Sequence, residues 1–413
     1  MPPRPPRPPG SRRSPEVGLG TIAREWGRIG CIGFGGPPAH ISLLRKRCVT
    51  ERRWLTEEDF EDGVAATNLL PGPASTQLAI YCAWRLRGWQ GALVGGVCFI
   101  VPGLLLILVL AALFLRADAP ELIRGAAAGA GAAVPAVAVH AAVGLLPGSW
   151  RRAHSSTPAR ARWVCLVAAG AAGAAFIGPW LVLVLAGAGL LEIAARSRPR
   201  SNNPPLAMVA LPATPAAGAI GNIAGIGGLS GIGGLGGLGA VSWVALKVGL
   251  LSYGGGFVII PLMQHDAVQR YGWMTDAQFL TAVALGQITP GPVLQTVAVV
   301  GYAAAGIGGG LLAATVAFTP SFVMVLLGGR RFERLRANST VQCFLTGAGA
   351  SAIGAIAGSA IPIGLALAEV WQIAVLGAAG MALASRRAGV VAALLGSAAI
   401  GALAALAGAP LSQ

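Results

Sequence analysis

Long stretches without a charged residue constrain this chain more than any other feature of its sequence. Residues 91–115, 163–191 and 388–410 contain no Asp, Glu, Lys or Arg. Each stretch is long enough to cross the roughly 30 Å hydrocarbon core of a bilayer as a helix. Because lipid cannot hydrogen-bond the backbone, spanning segments are helices or closed barrels, and these apolar runs are continuous rather than alternating. The sequence therefore predicts an all-α polytopic integral membrane protein of about 10–13 helical segments.

The composition agrees with a membrane environment. Hydrophobic residues make up 55% of the chain and charged residues only 11%, against about 25% charged residues in soluble domains. Lys and Arg outnumber Asp and Glu by 30 to 15. Such an excess on a soluble protein would suggest nucleic acid, but most arginines here lie in short loops or the N-terminal tail, as cytoplasmic loops of membrane proteins require. We expect the lipid bilayer, and no nucleic acid, as a partner.

Motifs of metal centres and of common enzymes are missing from the sequence. The six cysteines form no CxxC pair and the four histidines are widely spread, so we interpret the cysteines as small apolar residues. No HExxH or GxSxG motif is present, and the glycine runs lack the Lys-Ser/Thr of a phosphate-binding loop. We expect no catalytic residues, no metal and no cofactor.

The sequence contains two related halves that align at an offset of 219 residues. Trp54 aligns with Trp273 (273 − 54 = 219), and the Pro-Gly-Pro triplet that begins at Pro71 aligns with the triplet that begins at Pro290 (290 − 71 = 219). Over the 40 ungapped positions 34–73 and 253–292, 13 residues are identical. Apolar bias alone would not align tryptophans, Gly-Gly pairs and both triplets without a gap, so two homologous halves are predicted.

The repeat divides the chain into five parts. We expect a disordered Pro/Arg-rich tail over residues 1–16, a first repeat over 17–147 and a second repeat over 240–365. Connecting loops, extra helices and a Gly-rich insert occupy 148–239, and further helices occupy 366–413. The tail lacks the apolar core of a cleaved signal peptide. The Gly-rich stretch 218–239 either packs helices closely or is a loosely ordered insert.

Loop charges indicate that the two halves have opposite orientations. Residues 45–53 hold five basic residues, whereas the equivalent 264–272 hold only Arg270. The next loop reverses this pattern, with four arginines in 330–336 but only two, offset by two acids, in 116–124. If basic loops face the cytoplasm, equivalent loops lie on opposite sides of the membrane. This pattern predicts an inverted-topology repeat, as in many secondary transporters.

The Pro-Gly-Pro triplets predict broken helices with an anion site at the breaks. Proline removes a backbone donor and disfavours helix at the preceding residue, so helices are expected to end at Leu70 and Thr289 and to restart at Pro73 and Pro292. The restarting helices would present unpaired N–H groups near residues 74–77 and 293–296, an environment that attracts anions. For a single copy, a simple kink in packed helices is an equally good interpretation.

Neutral polar side chains and glycines near the breaks complete the predicted site. The Gly-Gly pairs either bring backbone close to the substrate or only allow tight packing. The substrate-binding candidates are Gly35, Gly36, Asn68, Pro71, Gly72, Pro73, Ser75, Thr76, Gln77, Gly254, Gly255, Gln287, Thr289, Pro290, Gly291, Pro292, Gln295 and Thr296.

Charged residues near the repeats have two interpretations. Arg45, Lys46 and Arg85 either set topology or attract an anion at the inner mouth. A coupling proton would require an acid or a histidine within the membrane. The candidates His40, His265, Glu192 and Glu369 lie near helix starts or ends, and none stands out from the sequence.

The residues that carry the repeat also resemble the chromate ion transporter family, in its long two-domain type. The resemblance rests on FGGPPAHI (34–41), RRWLTEEDF (52–60) and LLPGPASTQLAIY (69–81), and on YGGGFVIIPL, YGWMTDAQF and GQITPGPV in the second half. It covers residues 17–145 and 240–365. The family's motif positions correspond to Gly35, Gly36, Pro37, Trp54 and Pro71–Pro73, and to Gly254, Gly255, Trp273 and Pro290–Pro292. The sequence departs from it at the Gly-rich insert and at Gly256, where the first half has Pro37.

The resemblance implies a bacterial inner-membrane carrier that exports chromate, driven by the proton motive force, and confers chromate resistance. Protons would be the coupling ion, and a homodimer is among the oligomeric states left open. The residues themselves do not separate chromate from sulfate or another oxyanion. A non-transporting membrane scaffold, or a membrane enzyme without a familiar motif, is the alternative of another class.

Overall fold

The structure is a computed structural model, and it describes residues 17–68, 70–116, 118–153, 157–177, 181–197, 235–252, 259–328, 338–385 and 388–411. In these ranges the chain forms fourteen α-helices and no strand, which confirms the predicted all-α class. The predictions for the tail 1–16, most of the Gly-rich insert, the loop 330–336 and Gly254 and Gly255 lie outside the described residues.

The helices follow the same order in the two halves. The first half contains α1 (Leu19–Ile32), α2 (Pro37–Arg45), α3 (Glu57–Thr67), α4 (Ala74–Phe114), α5 (Glu121–Ala153), α6 (Thr157–Ala172) and α7 (Leu181–Ser197). The second contains α8 (Leu235–Leu251), α9 (Ile260–Gln264), α10 (Asp276–Ile288), α11 (Thr296–Gly328), α12 (Ser339–Leu365), α13 (Val370–Ala384) and α14 (Val390–Leu406).

Local features also recur at the repeat offset. A π-helical turn follows α2 at Lys46–Glu51 and follows α9 at His265–Arg270. The hydroxyl of Thr56 accepts a hydrogen bond from the Asp59 amide at the start of α3, and Thr275 caps α10 in the same way. Threonine satisfies the otherwise unpaired first amides of a helix, so similar local sequence produces similar helix starts in both halves.

The long helix α4 is a hairpin of two helical limbs. Arg87 and Gly88 leave helical geometry, with φ of −143° and 62° respectively, and Gly91 then packs against the backbone of Ala83. In α11 the reversal is repeated at Ala305 (φ −152°) and Gly306 (φ 61°). A positive φ is easily adopted by glycine alone. The turn divides each apolar run into a short limb and a long limb.

The Pro-Gly-Pro triplets lie at the tips of helical hairpins. The chain enters along α3, turns at Pro71–Pro73 and returns along the short limb of α4, so that a Cβ on Gly63 would lie 2.5 Å from the Tyr81 ring. In the second half Gly286 of α10 packs against Thr296 around the other triplet. Helix α3 has 11 residues, or about 16 Å at 1.5 Å per residue. Each tip therefore reaches about halfway through a bilayer.

The two halves are related by an antiparallel arrangement of equivalent helices. The long limb of α4 packs against the long limb of α11 with Gly96 beside Phe322 and Gly310 beside Leu108. Residue numbers rise along one limb as they fall along the other, so the limbs run antiparallel. When both limbs cross a bilayer, the halves have opposite topology.

The bases of the two tip hairpins lie at opposite ends of one membrane-crossing limb. Asp59, near the base of the first hairpin, forms an ion pair with Arg85 beside the turn that begins the limb. Thr275, at the base of the second hairpin, lines a cavity with Phe114 and Arg116 at the limb's other end. The intervening 26 residues (114 − 88 = 26) span about 39 Å as helix. The hairpins thus enter from opposite sides.

The outer helices exchange partners between the halves. Helix α5 packs on α13 and α14, whereas α12 packs on α6 and α7. Glycines make these contacts, as Gly129 lies against the backbone at Ser397 and Gly354 against the backbone at Val167. Small residues allow such close approach in membranes. We infer that each repeat includes α6–α7 or α13–α14 and so extends beyond residues 147 and 365.

Within the described ranges, four helices are long and apolar enough to cross a membrane: α4, α5, α11 with its preceding 3₁₀ turn, and α12. Large apolar side chains lie exposed on them, among them Val109 (64% exposed), Leu327 (74%) and Leu365 (82%). An extended exposed apolar surface is typical of a face that contacts lipid. The described part of the chain is thus a multi-pass membrane protein.

Candidate anion site

Each Pro-Gly-Pro break has a backbone geometry that requires its glycine. Gly72 has φ of 114° and Gly291 has φ of 96°, values that a side chain strongly disfavours. Helix α3 ends at Thr67, three residues before the predicted Leu70, and the next helix starts at Ala74 with Pro73 as its N-cap. The second break has Thr289 as C-cap and Pro292 as N-cap. Proline therefore flanks the new helix rather than forming its first residue.

The first break contacts the second half of the molecule. A Cβ on Gly72 would lie 2.6 Å from Gln77 Nε2, 3.3 Å from the Gly249 carbonyl oxygen and 3.5 Å from Ser321 Oγ. Gln77 Nε2 donates a hydrogen bond of 2.7 Å to the Pro71 carbonyl oxygen and so holds the turn. The tip is thus lined by its own glutamine, by the end of α8 and by the residue after Pro320.

The second break makes the corresponding contacts with the first half. The Pro290 carbonyl oxygen lies so close to Gly103 that a Cβ there would collide with it. Gln295 Nε2 donates a hydrogen bond of 2.8 Å to the Ile100 carbonyl oxygen. The Gly291 amide donates one of 2.9 Å to the Gly33 carbonyl oxygen. Each tip is therefore held by the first helix and the proline-containing limb of the other half.

Buried polar atoms without a hydrogen-bond partner in the described structure are concentrated at the two breaks. They include Thr76 Oγ1, Gln77 Oε1, Ser252 Oγ, Gln287 Nε2, Gln295 Oε1 and Ser321 Oγ. These residues are 0–8% exposed. Such groups are costly to bury unless something else satisfies them. Buried hydroxyl and amide groups of this kind are suited to bind a polar ligand reversibly.

The helix starts supply fewer free amides than the sequence predicts. The amides of Thr76 and Gln77 both donate to the Pro73 carbonyl oxygen at 3.0 Å. In the second half the Gln295 amide donates to the Pro292 carbonyl oxygen, and the Thr296 amide also bonds within its own turn. These amide donors are therefore already engaged in hydrogen bonds within the tight turns that follow proline. The first two amides of each helix, rather than the first four, remain directed toward the break.

The Gly-Gly pair of the first half lies next to the second break. Gly35 and Gly36 have φ of 98° and 73°, and a Cβ on Gly36 would lie 3.9 Å from the Val293 side chain. This turn starts α2, whose His40 side chain is fully buried and lies 3.2 Å from Ser75 Oγ through Nδ1 and 2.9 Å from the Gly33 carbonyl oxygen through Nε2. Residues at the start of α2 and within it therefore lie next to both breaks.

The other predicted polar residues are distributed unevenly. The Thr289 and Thr296 hydroxyls each donate a hydrogen bond of 2.9 Å to a backbone carbonyl oxygen of their own turn. Each hydroxyl is therefore held against its own backbone. Asn68 is the exposed C-cap of α3. Its counterpart Gln287 is 8% exposed and directs an unpartnered amide nitrogen into the protein interior.

The basic candidates lie at the base of the first hairpin rather than at its tip. Arg45 pairs with Glu57 and Glu61, and Lys46 lies 3.8 Å from Glu51 with its side chain 69% exposed. Arg85 pairs with Asp59 at 2.5 Å. An anion on its way to the tip would pass these groups, but they do not line the break.

A cavity of about 360 Å³ lies at the base of the second hairpin, on the opposite side. Arg116 and Arg124 line it together with Thr275, Gln278 and Gln372. Asp118 bonds Arg116 at 3.0 Å, and this hydrogen bond lowers the pKa of the Asp118 carboxyl. Asp118 therefore stays ionised at neutral pH and offsets Arg116, which leaves Arg124 as the uncompensated positive charge of the cavity.

Acidic residues within the fold are mostly paired. Glu192 bonds Arg162 and Arg196, Glu369 forms the capping box of α13, and His265 bonds Gln269. Two buried acids escaped the sequence analysis. Glu25 (4% exposed) pairs with Arg47 and Arg52, and Asp266 (2% exposed) pairs with Lys247. The sequence did not identify Glu25 and Asp266 as buried ion-pair residues, because their partners lie on other helical segments.

Sequence reasoning also missed the glycine and serine that receive the tips. Gly103 follows Pro102 and Ser321 follows Pro320, and these prolines correspond between the halves. The proline match was the available signal, but only the fold shows that the residue after each proline lies against the tip of the other half.

Comparisons with known proteins agree with this architecture. A family model described as chromate transporter matches residues 20–192 and 239–402. A chromate transport protein of Pseudomonas aeruginosa is 30% identical over 347 residues, 83% of this chain and 80% of the relative. One of Cupriavidus metallidurans is 30% identical over 353 residues, 84% of this chain and 83% of the relative.

A probable chromate transport protein of Synechococcus elongatus is 26% identical over 85% of this chain and 86% of its own length. No solved structure matches the chain. The two matched segments coincide with the two helical halves built around the Pro-Gly-Pro breaks. The chain belongs to the chromate transporter family.

Proposed function

We propose that this protein is a secondary transporter that carries chromate across the bacterial inner membrane and exports it from the cell. The observation that supports this most is the pair of polar-lined breaks reached from opposite sides of the membrane. Alternating access requires one binding region that can open to either face, and inverted repeats with broken helices are a common way to build it. The choice of chromate as the anion rests on the names of relatives that cover most of the chain.

The chemistry of the breaks suits a tetrahedral dianion. Free amides at helix starts carry partial positive charge, and the hydroxyls of Thr76 and Ser321 and the amide nitrogen of Gln287 are neutral donors without a partner in the described structure. Gln77 and Gln295 use their amide nitrogens to hold the turns. A site built from neutral donors binds an anion without the strong attraction of a buried lysine or arginine. Such binding is reversible, as transport requires.

The electrical potential across the membrane favours export. With the cell interior negative, moving one negative charge outward releases about 2.3 kcal/mol per 100 mV. We propose that the proton motive force drives transport, with protons as the coupling ion, and that efflux confers chromate resistance.

Sulfate is the strongest competing substrate, because it is also a tetrahedral dianion and would meet the same donors. The alternatives of another class are a non-transporting scaffold and a membrane enzyme. We propose a transporter in preference to both, since the unpartnered polar atoms lie between two oppositely oriented hairpins rather than beside a nucleophile or a paired acid.

Everted membrane vesicles test the proposal. Vesicles that contain the wild-type protein should accumulate labelled chromate above the level of empty vesicles, and an uncoupler should abolish the accumulation. Excess unlabelled sulfate measures selectivity. A Gly72→Ala variant, inserted at the same level, should show reduced flux. No chromate flux above that of empty vesicles would refute chromate transport, and flux of sulfate alone would reassign the substrate.

A further inference from the structure

His40 joins the two breaks through a chain of hydrogen bonds. Its Nδ1 lies 3.2 Å from Ser75 Oγ, at the start of the helix that follows the first break. Its Nε2 lies 2.9 Å from the Gly33 carbonyl oxygen, which also accepts the Gly291 amide of the second break at 2.9 Å. The ring is fully buried and packs edge-on against Phe99, with centroids 5.1 Å apart.

The groups around the ring carry no charge. It meets Gly33, which caps the end of α1, and Ser75 and Phe99 of α4. Charged groups on the elements packed against α2 are either exposed or engaged with one another. They are Arg24, Arg28 and Glu25 on α1, Lys46, Arg47, Glu51 and Arg52 in and just after the π-helical turn, and Arg85 and Arg87 on α4, with Asp59 as the partner of Arg85.

The hydrogen-bond partners determine where the protons must be. A carbonyl oxygen only accepts, so Nε2 must carry a hydrogen to bond Gly33. In the neutral ring Nδ1 is then an acceptor, and the Ser75 hydroxyl donates to it. In the protonated ring Nδ1 becomes a donor to Ser75 Oγ. The Ser75 hydrogen is then released to point elsewhere.

We propose that protonation of His40 turns the Ser75 hydroxyl into a donor for the anion at the first break, so that this proton and the anion strengthen each other's binding. The His40 proton adjusts the affinity of the break and is distinct from the coupling proton, which must exchange with the anion for export to be driven. This inference rests on the proposed anion transport. Histidine is the side chain whose charge changes near neutral pH. Because linkage is reciprocal, an anion bound at the break also raises the proton affinity of His40. His40 is thus a positioning residue that acts on the anion through Ser75.

The second half lacks this device at the equivalent place. Ile259 aligns with His40 (259 − 40 = 219), and the aliphatic residues Val293 and Leu294 occupy the helix start where the first half has Ser75. The two breaks have similar backbone conformations but different side chains around them. Only the first break therefore gains a titratable link.

Anion binding by the purified full-length protein tests the inference. Binding of labelled sulfate and of chromate would be measured between about pH 4.5 and 8, a window extended to the acidic side because burial among uncharged groups favours the neutral histidine ring. Sulfate remains a dianion over this range and so separates titration of the protein from that of chromate. The wild type should bind sulfate about tenfold more tightly at the acidic end, the effect of one added hydrogen bond.

Three variants decide the outcome. His40→Gln and Ser75→Ala should both bind with a flat pH profile. His265→Gln, which changes a histidine at the hairpin base, should keep the wild-type profile. Two structurally different variants guard against a folding defect in either one.

The possible failures are distinguishable. A wild-type pH profile retained in folded His40→Gln or Ser75→Ala protein would overturn the role of His40 while leaving transport intact. A wild-type protein that binds neither anion and moves neither in vesicles would overturn the proposed function together with this inference.

Discussion

The two halves of this molecule use the same backbone for a break but surround it with different side chains. Both have a capped helix, a Pro-Gly-Pro tip with glycine at positive φ, and a return helix that reverses at another glycine. At the first break His40 and Ser75 lie within hydrogen-bonding distance, whereas Ile259 occupies the equivalent place in the second half. The comparison separates what the fold requires, which is duplicated, from what a single half contributes to chemistry.

The buried ion pairs differ in the same way. In the first half the acid lies on the first helix, as Glu25, and its partners are the arginines Arg47 and Arg52. In the second half the base lies on the first helix, as Lys247, and pairs with Asp266. Both pairs fasten the first helix to the π-helical turn. An ion pair therefore links the first helix to the π-helical turn in both halves, but the helix carries the negative charge in the first half and the positive charge in the second.

The largest expected effect comes from filling the space that receives the second tip. Gly103→Ala places a methyl group against the Pro290 carbonyl oxygen, a backbone atom that cannot move aside alone. We expect the chromate flux in vesicles to fall at least tenfold at equal membrane insertion, since a misplacement of about 1 Å at a site costs this much or more. Gly144→Ala on α5 meets nothing within 4 Å and is the matched control.

The equivalent change beside the first tip sharpens the comparison. Ser321, in the second half, has a side chain next to the first tip, whereas Gly103 has none next to the second. Ser321→Ala should therefore leave packing unchanged and remove only one hydroxyl. A flux loss for Ser321→Ala as large as that for Gly103→Ala would contradict the view that packing dominates at Gly103.

The tips themselves should respond unequally to alanine. Gly72→Ala strains a φ of 114° and brings Cβ to 3.3 Å from the Gly249 carbonyl oxygen, whereas a Cβ at Gly291 meets only the end of the Gln295 side chain at 3.3 Å. Both variants should transport less because a residue with Cβ costs about 1–2 kcal/mol in such a conformation. We expect the greater loss of flux for Gly72→Ala, and the reverse order would contradict the contacts described.

The ion pairs predict a moderate difference in stability. Lys247→Met leaves Asp266 buried without its main partner, which should lower the unfolding free energy by about 3 kcal/mol. Arg47→Met should cost less, because Arg52 still bonds Glu25 at 2.9 Å. Thermal unfolding in detergent measures both. Adding Asp266→Asn to Lys247→Met should restore part of the loss, and no restoration would argue against an ion-pair origin.

The smallest expected effect concerns the cavity at the base of the second hairpin. Arg124→Gln removes its uncompensated charge and should raise the KM for chromate about twofold to threefold at low salt. The difference should vanish as salt is added, because exposed charges are screened. Asp118→Asn should act in the opposite direction by releasing Arg116. Equal KM values for all three proteins at low salt would exclude the cavity from the anion's path.

Much of the fold was predictable from the sequence, and the reasons are local. Charge-free runs indicated membrane helices, and the paired tryptophans and triplets revealed the repeat. The reversals at Gly88 and Gly306 were not predictable, because a single glycine between helical segments is equally compatible with a straight helix. Leu70 was predicted as a helix end, but the turn before proline begins earlier, after Thr67.

The site was predictable only as a set of residue types near the breaks. Gln77 and Gln295 were identified because they follow the triplets. The roles of Gly103, Ser321 and His40 depend on contacts between segments that are distant in sequence or lie in opposite halves. Sequence periodicity does not predict such contacts. His40 was one of four histidines until the fold placed Ser75 and Gly33 on either side of its ring.

The central claim is that the two breaks are reached from opposite sides of the membrane. Single cysteines at Glu58→Cys and Ala277→Cys, equivalent positions at the two hairpin bases (277 − 58 = 219), test it most directly in a protein whose six native cysteines are replaced by alanine. A membrane-impermeant thiol reagent applied to right-side-out and everted vesicles should label one position in each preparation, and a different one in each. Labelling of both positions from the same side would contradict the inverted arrangement and the transport path built on it.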